Sequence, residues 1–391
     1  MNFTTDSYQD QLSSQVPEPY ASRIFRLVLY AIVFVLTVGG NVLVCTVVIN
    51  NRKLRSMQRF YYGYFLMNLA FADLAVALLC IPFTVVYYET GNWPFSAFMC
   101  KLVPTLQVTS VSASIFTLTV MTYERYQAIV QPLKAQIPKK KVLTMLGMAW
   151  IFAFVSASPE IFAYQFHDNA SQKFQCRELW PHQKYRQSYT MFLFVCTYLF
   201  PLMVIFPTYI KMMSTLKKSH SFNNTDKKLR WKSLRVLIAV VIIFATSYLP
   251  QHILFLAMDF GSGLSFPYFE ITLKYCYLMV WVSSCSNPII YGALDDYFRD
   301  KYARILRHCV AVKRSTKKLS RATISYSQGT LNPQKSSPTE QTLEKERIPR
   351  DQSGRLEEIS SPQSNILESY SANNDKNDFK QVTPLLGCSD T

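Results

Sequence analysis

Seven stretches of this chain are long and apolar enough to cross a bilayer, and that count limits the fold more than any other feature. A hydrocarbon core takes about 20 mostly apolar residues to span. Leu27–Asn51, Leu102–Tyr123, Val142–Pro159, Gln187–Ile210, Val236–Met258 and Tyr275–Leu294 contain no Asp, Glu, Lys or Arg. Phe60–Tyr88 is interrupted only by Asp73. Lipid offers no partner for a bare peptide group, so each run must satisfy its backbone internally as a helix. The expected fold class is therefore an all-α membrane protein, a seven-transmembrane helix bundle. A soluble enzyme core does not carry seven such runs, whereas count alone leaves a transporter or channel open.

Charge fixes the topology. The net charge of +16 and a pI near 9.4 first suggest nucleic acid or an acidic membrane surface. The position of the charge decides between them. Residues 51–60, 127–141, 214–235 and 295–321 together carry +20, leaving −4 for everything else. These stretches follow runs one, three, five and seven, the loops that a Lys/Arg excess marks as cytoplasmic. The N-terminus is thus expected outside and the C-terminus inside, at the plasma membrane. The basic surface should attract anionic inner-leaflet lipid, with no need of nucleic acid. Asn2 and Asn169 head glycosylation sequons on outside segments, while Asn223-Asn224-Thr225 falls inside and should go unused. Met1–Gln15 is polar and acidic, without the pattern of a cleavable signal peptide.

The chain divides into an extracellular segment (1–24), the bundle (25–294), an amphipathic juxtamembrane helix (295–309) and a disordered cytoplasmic tail (310–391). The helix sets Tyr297, Phe298, Tyr302, Ile305 and Leu306 against Arg299, Lys301, Arg304 and Arg307, and should lie on the inner leaflet. Cys309 at its end is either a palmitoylation site or a free thiol. The last four residues lack the aliphatic pair of a prenylation box. Beyond it, Ser, Thr, Asn, Gln and Pro dominate, as in unfolded chains.

Polar groups inside the runs are costly and point to function. Asp73, Asn41, Ser114, Ser283, Ser284 and Asn287 stand mid-run. If their faces converge, they form a buried cluster around one carboxylate, able to bind Na⁺ or water, or simply to hydrogen-bond helices together. Glu124-Arg125-Tyr126 closes run three as either a snorkelling anchor or a lock whose arginine changes partner. Pro82, Pro201, Pro250 and Pro288 interrupt the hydrogen-bond ladders of runs two, five, six and seven and permit hinges.

In this order and spacing, several motifs resemble the rhodopsin-like (class A) G-protein-coupled receptors over about residues 25–308. They are Gly40-Asn41, Asn68 with Asp73, Glu124-Arg125-Tyr126, Trp150, Pro201 with Tyr209, Phe244 with Pro250, and Asn287-Pro288 with Tyr291 and Phe298. The family usually has Asp where Glu124 stands. It usually has Cys-Trp-x-Pro where this chain has Ser247-Tyr248-Leu249-Pro250, so Tyr248 replaces the usual toggle tryptophan. The resemblance implies a disulfide between Cys100 and Cys176. It also implies coupling to a heterotrimeric G protein through Glu124, Arg125, Tyr126, Tyr209, Asn287, Pro288 and Tyr291. Arrestin and receptor kinases would act through the Ser/Thr-rich tail.

Single residues narrow the ligand. A retinal lysine deep in run seven is replaced by Trp281, and the acid that pairs amines in run three by Gln107. Gln107, Asp259, His252 and Phe255 resemble peptide receptors of the neuropeptide Y and neuropeptide FF type. Their ligands end in Arg-Phe-amide or Arg-Tyr-amide. An acid there pairs the ligand arginine, and a glutamine can both donate to and accept from a terminal amide. Tyr248 is grouped with this ligand site. Glu160 and Glu270 are further acids near the outer face. Asp259 could equally be a solvated loop acid, and His252 a packing residue. A different peptide or a small molecule remains the alternative ligand. A transporter would need repeats or a charged path, and none is visible. No phosphate loop, zinc spacing or nucleophile elbow appears, so neither catalytic residues nor a resident metal or cofactor is expected beyond Na⁺ at Asp73.

Overall fold

The computed structural model describes residues 16–50, 60–132, 137–169, 173–218, 223–261 and 266–308. Asn2, Cys309 and the tail lie outside them. The chain forms two units, residues 1–303 and 304–391. Of the second, only 304–308 are described, and they are helical.

Each apolar run becomes helical. Run one is α1 (Tyr20–Ile49). Run two is split into α2 (Phe60–Leu79) and α3 (Ile81–Thr90). Runs three and four are α4 (Ala97–Val130) and α5 (Lys139–Ala163). Run five begins as α6 (Gln183–Leu193), widens to a π turn over Phe194–Leu199 and continues as α7 (Phe200–Lys218). Runs six and seven are α8 (Asn224–Phe260) and α9 (Phe269–Leu294). Residues 296–303 are helical in turn. Among the described residues, six segments are long and apolar enough to cross a membrane. The seventh, α9, carries Ser283, Ser284 and Asn287 inside the bundle, which dilutes its hydropathy.

Local signals set the ends. Ser96 caps α4 by accepting from the Met99 amide (3.3 Å), and Asn223 caps α8 by accepting from the Asp226 amide (2.8 Å). Asn223, which heads the sequon expected to go unused, is thus a helix cap. Threonine hydroxyls within the spans return their protons to carbonyls one turn back, as at Thr37, Thr109, Thr117 and Thr197. The prolines divide into two kinds. Pro82 sits in the first turn after the break at Cys80, and Pro201 follows the π turn, where its missing N–H would have served the Thr197 carbonyl. Pro250 and Pro288 lie inside helices that continue through them, each removing one ladder donor without ending the span.

Packing closes a ring: α1 on α2, α2 on α4, α4 on α5 and α7, α6 and α7 on α8, α8 on α9, and α9 back on α1. Gly40 permits the last contact, because a Cβ there would meet Pro288 Cγ at 2.8 Å. Asn68 joins three helices: its Nδ2 donates to Thr117 Oγ1 (2.6 Å) and its Oδ1 accepts from Trp150 Nε1 (2.8 Å). At the outer rim, fully buried Arg26 pairs with Glu18 and with Glu89 (2.5 Å), which also takes Arg23 (3.0 Å). The Val16 amide donates to the Pro267 carbonyl, so the N-terminal approach is fastened over the outer ends of α1, α3 and α9.

Between α5 and α6 an antiparallel hairpin, β1 (Tyr164–Asn169) and β2 (Lys173–Glu178), sets Phe166 opposite Cys176. Nothing in the helix-dominated pattern announces it. Cys176 is bonded to Cys100 at the top of α4, with Cα atoms 5.6 Å apart. The Trp93 amide donates to the Phe174 carbonyl (2.8 Å), which docks the α3–α4 loop on β2.

Candidate ligand and signalling sites

Asp259 is buried rather than solvated. Its side chain is wholly inaccessible, and Arg186 Nη2 lies 2.5 Å from Oδ1. Thr190 Oγ1 donates to Oδ2, and Gln187 Nε2 donates to the main-chain carbonyl (2.6 Å). All three partners lie on α6, with Arg186 and Thr190 one turn apart. Arg186 was not singled out from the sequence, although its i, i+4 spacing with Thr190 was available as a signal.

The other acids behave differently. Glu270 is half exposed and bridges to Lys274 (2.9 Å) on its own helix. Glu160 is buried at the outer end of α5, near Glu178. Glu178 was not singled out from the sequence. Burial pushes its carboxyl above the ordinary range, and the nearby Asp259 charge adds to that, against the opposing pull of the Trp180 indole N–H and Arg186.

Gln107 is half-buried on α4 and makes no hydrogen bond among the described residues. Phe255 is half-buried on α8. His252 packs between Phe194 (5.6 Å) and Tyr198 (4.9 Å) of the π turn, the packing role that sequence left open. Tyr248 stacks on Phe244 (4.3 Å) and is buried deeper, facing the mid-membrane cavity. Tyr248 thus lies at a different level of α8 from Phe255 and Asp259, with which the ligand reading grouped it.

That cavity, about 20 Å³, is lined by Asp73, Ser110, Ser114, Ser283, Ser284 and Asn287 among apolar neighbours. It has room for one water-sized occupant. Asn287 Nδ2 donates to Asp73 Oδ2 (2.9 Å). Asn41 does not line it. Its Nδ2 donates to the Thr37 and Ser284 carbonyls (3.0 and 3.2 Å), which ties α1 to α9. Among the described residues, no group of three or more His, Cys, Asp or Glu is placed to hold a metal.

At the end of the bundle expected to face the cytoplasm, Arg125 pairs with Glu124 (3.1 Å) on its own helix. Thr122 Oγ1 donates to the Tyr209 hydroxyl (3.3 Å), linking α4 to α7. A second cavity is lined by Arg125, Ala128, Ile129 and, from α8, Arg230 and Leu237. Arg230 Nη1 donates to the Ala128 carbonyl (2.5 Å), and Lys232 pairs with Asp296 and, at 3.9 Å, with Asp295. Tyr291 is buried against Phe298, ring centroids 5.8 Å apart. Sequence reasoning missed Arg230 and Lys232, because a basic run at a membrane edge reads as topology.

A ring of apolar helices around a polar cavity, stapled outside by one disulfide, defines a multi-pass membrane receptor. The chain belongs to the seven-transmembrane receptors of the rhodopsin family, whose pattern matches residues 40–291. Among its relatives, galanin receptor type 1 of Rattus norvegicus is 33% identical over 289 residues, covering 72% of this chain and 82% of that protein. Neuropeptide FF receptor 2 of Rattus norvegicus is 30% identical over 316 residues (75% and 74%). Neuropeptide Y receptor type 2 of Cavia porcellus is 32% identical over 296 residues (73% and 77%). The neuropeptide Y and FF types match the resemblance read from the motifs. Galanin receptors were not named by it.

Proposed function

We propose that this protein is a plasma-membrane receptor, N-terminus outside, that binds an extracellular neuropeptide and activates a heterotrimeric G protein. The observations that support the peptide reading are a half-buried Gln107 that makes no hydrogen bond among the described residues and, at the outer end of α8, a buried Asp259 paired with Arg186 near Glu178. Gln107 offers both a donor and an acceptor to a carboxamide. The acids suit a ligand guanidinium. An Arg-Phe-amide or Arg-Tyr-amide terminus supplies both groups, and relatives named for neuropeptide FF and neuropeptide Y support that class.

Ligand binding favours the state in which α8 leaves α4, because only differential affinity shifts such an equilibrium. That movement would open the Arg125 cavity to the G protein, with Tyr209, Asn287, Pro288 and Tyr291 changing contacts. Na⁺ at Asp73 would hold the resting state. Phosphorylation of the tail by receptor kinases would recruit arrestin, palmitate on Cys309 and the basic stretches would hold the inner leaflet, and Asn2 and Asn169 would carry glycans.

The test is a panel of amidated peptides on transfected cells, read as calcium or cAMP. Gln107→Ala should weaken the response to the amide more than to the free acid. Equal losses for both would remove Gln107 from the amide site. Truncation after residue 310 should reduce internalisation, and unchanged internalisation would count against the arrestin role.

A further inference from the structure

The outer ends of α6 and α8 are joined at one residue. Arg186, Thr190 and Gln187 all contact Asp259: Oδ2 accepts from Thr190, and Oδ1 faces Arg186 as an ion pair but accepts no hydrogen bond among the described residues. The acid best placed to receive a ligand cation is therefore already neutralised by a guanidinium of the receptor itself. The arrangement is incomplete on the arginine side. Arg186 keeps about a fifth of its side chain exposed (21%), and its buried Nε has no hydrogen-bond partner among the described residues. Glu178 lies within electrostatic reach of both Arg186 and Asp259. No cation stands at ion-pair distance from Glu178 among the described residues. Of the acids gathered here only Asp259 stands at ion-pair distance from Arg186, while Glu178 and, next to it, buried Glu160 have no cation at that distance among the described residues, so the group holds more acids than cations.

We propose that Arg186 is a specificity-determining internal counter-ion. It occupies Asp259 in the ligand-free receptor and is displaced toward Glu178 when the guanidinium or ammonium of the ligand takes its place. The inference rests on the peptide-receptor reading above. After the exchange Asp259 and Glu178 each face one cation, so a cationic ligand reduces the excess of acid that the receptor alone carries there. A neutral ligand cannot open the pair without leaving a charge buried and unpaired, which is costly. The exchange also removes the ionic member of the tie between α6 and α8. Ligand charge is thereby coupled to the freedom of α8 to move.

The experiment uses the full chain in transfected cells, normalised to surface expression, with variants Arg186→Gln and the swap Arg186→Asp with Asp259→Arg. The probes are an Arg-Phe-amide peptide and its citrulline analogue, which keeps the shape and loses the charge. Arg186→Gln should raise ligand-independent signalling about two- to fivefold, the range of a partly exposed ion pair. It should also raise the potency of the arginine peptide severalfold over the citrulline analogue. The swap should restore low basal signalling, because the tie is re-formed, yet abolish the preference for arginine over citrulline. Unchanged basal signalling in Arg186→Gln, or a swap that keeps the preference, overturns the counter-ion role. A wild-type receptor silent to both peptides while the basal effects appear overturns the ligand exchange and the choice of peptide class, and leaves the tie between α6 and α8 supported.

Discussion

Gly40 shows how much one side chain decides in a closed ring. Its absent Cβ lets Pro288 of α9 approach α1. Gly40→Ala places a methyl inside that contact and should cost about 1–3 kcal/mol by overpacking, read as a lowered melting temperature of the purified receptor. Glu178 is the residue through which pH should act on the outer site. Burial raises its carboxyl above the usual 4.5, so the folded receptor holds the proton more tightly than the unfolded chain. The stabilisation is complete below about pH 4.5 and is lost as pH rises through the raised value. Glu178→Gln removes that titration, so the fall in melting temperature above pH 4.5 should be shallower in the variant. Identical slopes would assign the titration to another group. Asp73 and Gln107 were legible as single letters because a polar group in an apolar run stands out, and Asp259 because the family resemblance pointed to it. Arg186 and Glu178 were not, since charges near a loop look ordinary until burial is known.

Helix positions follow from apolar run length almost without exception, but interruptions within helices do not. The π turn over Phe194–Leu199 adds a residue to the fifth span and so sets which face of α6 meets α8. Its nearby signal is Pro201, whose missing donor frees the Thr197 carbonyl. The same proline chemistry at 250 and 288 leaves the helix continuous. At the cytoplasmic end, α8 is held by Arg230 on the Ala128 carbonyl and by Lys232 on Asp295 and Asp296. Lys232→Ala should loosen α8 and raise basal signalling by about two- to fivefold, within the range of a surface ion pair. A luciferase or cAMP measurement without ligand decides it, and basal output equal to wild type would show that the pair does not restrain α8.

At the scale of the molecule, two features hold the outer face. The Cys100–Cys176 bond closes 76 residues of sequence and pins β2 to α4. Removing it with paired serines should cost about 2–5 kcal/mol, seen as reduced surface expression and melting temperature. Buried Arg26 holds Glu18 and Glu89 together. Arg26→Ala leaves two acids without their buried partner and should cost about 3–5 kcal/mol. Thermal unfolding measures that loss, while a variant as stable as wild type would show the network to be incidental. Sequence alone determined the number of spans and the receptor class, and its loop charge sets the sidedness expected of them. Each of those depends on quantities that add along the chain, namely apolar length, loop charge and motif order. The tertiary structure alone decided which acid has its own cation, that Asn41 ties helices instead of lining the cavity, and that Tyr248 faces inward. Those facts depend on distances between residues far apart in sequence, and in a buried, low-dielectric setting a shift of a few ångströms changes whether a charge is paired or exposed.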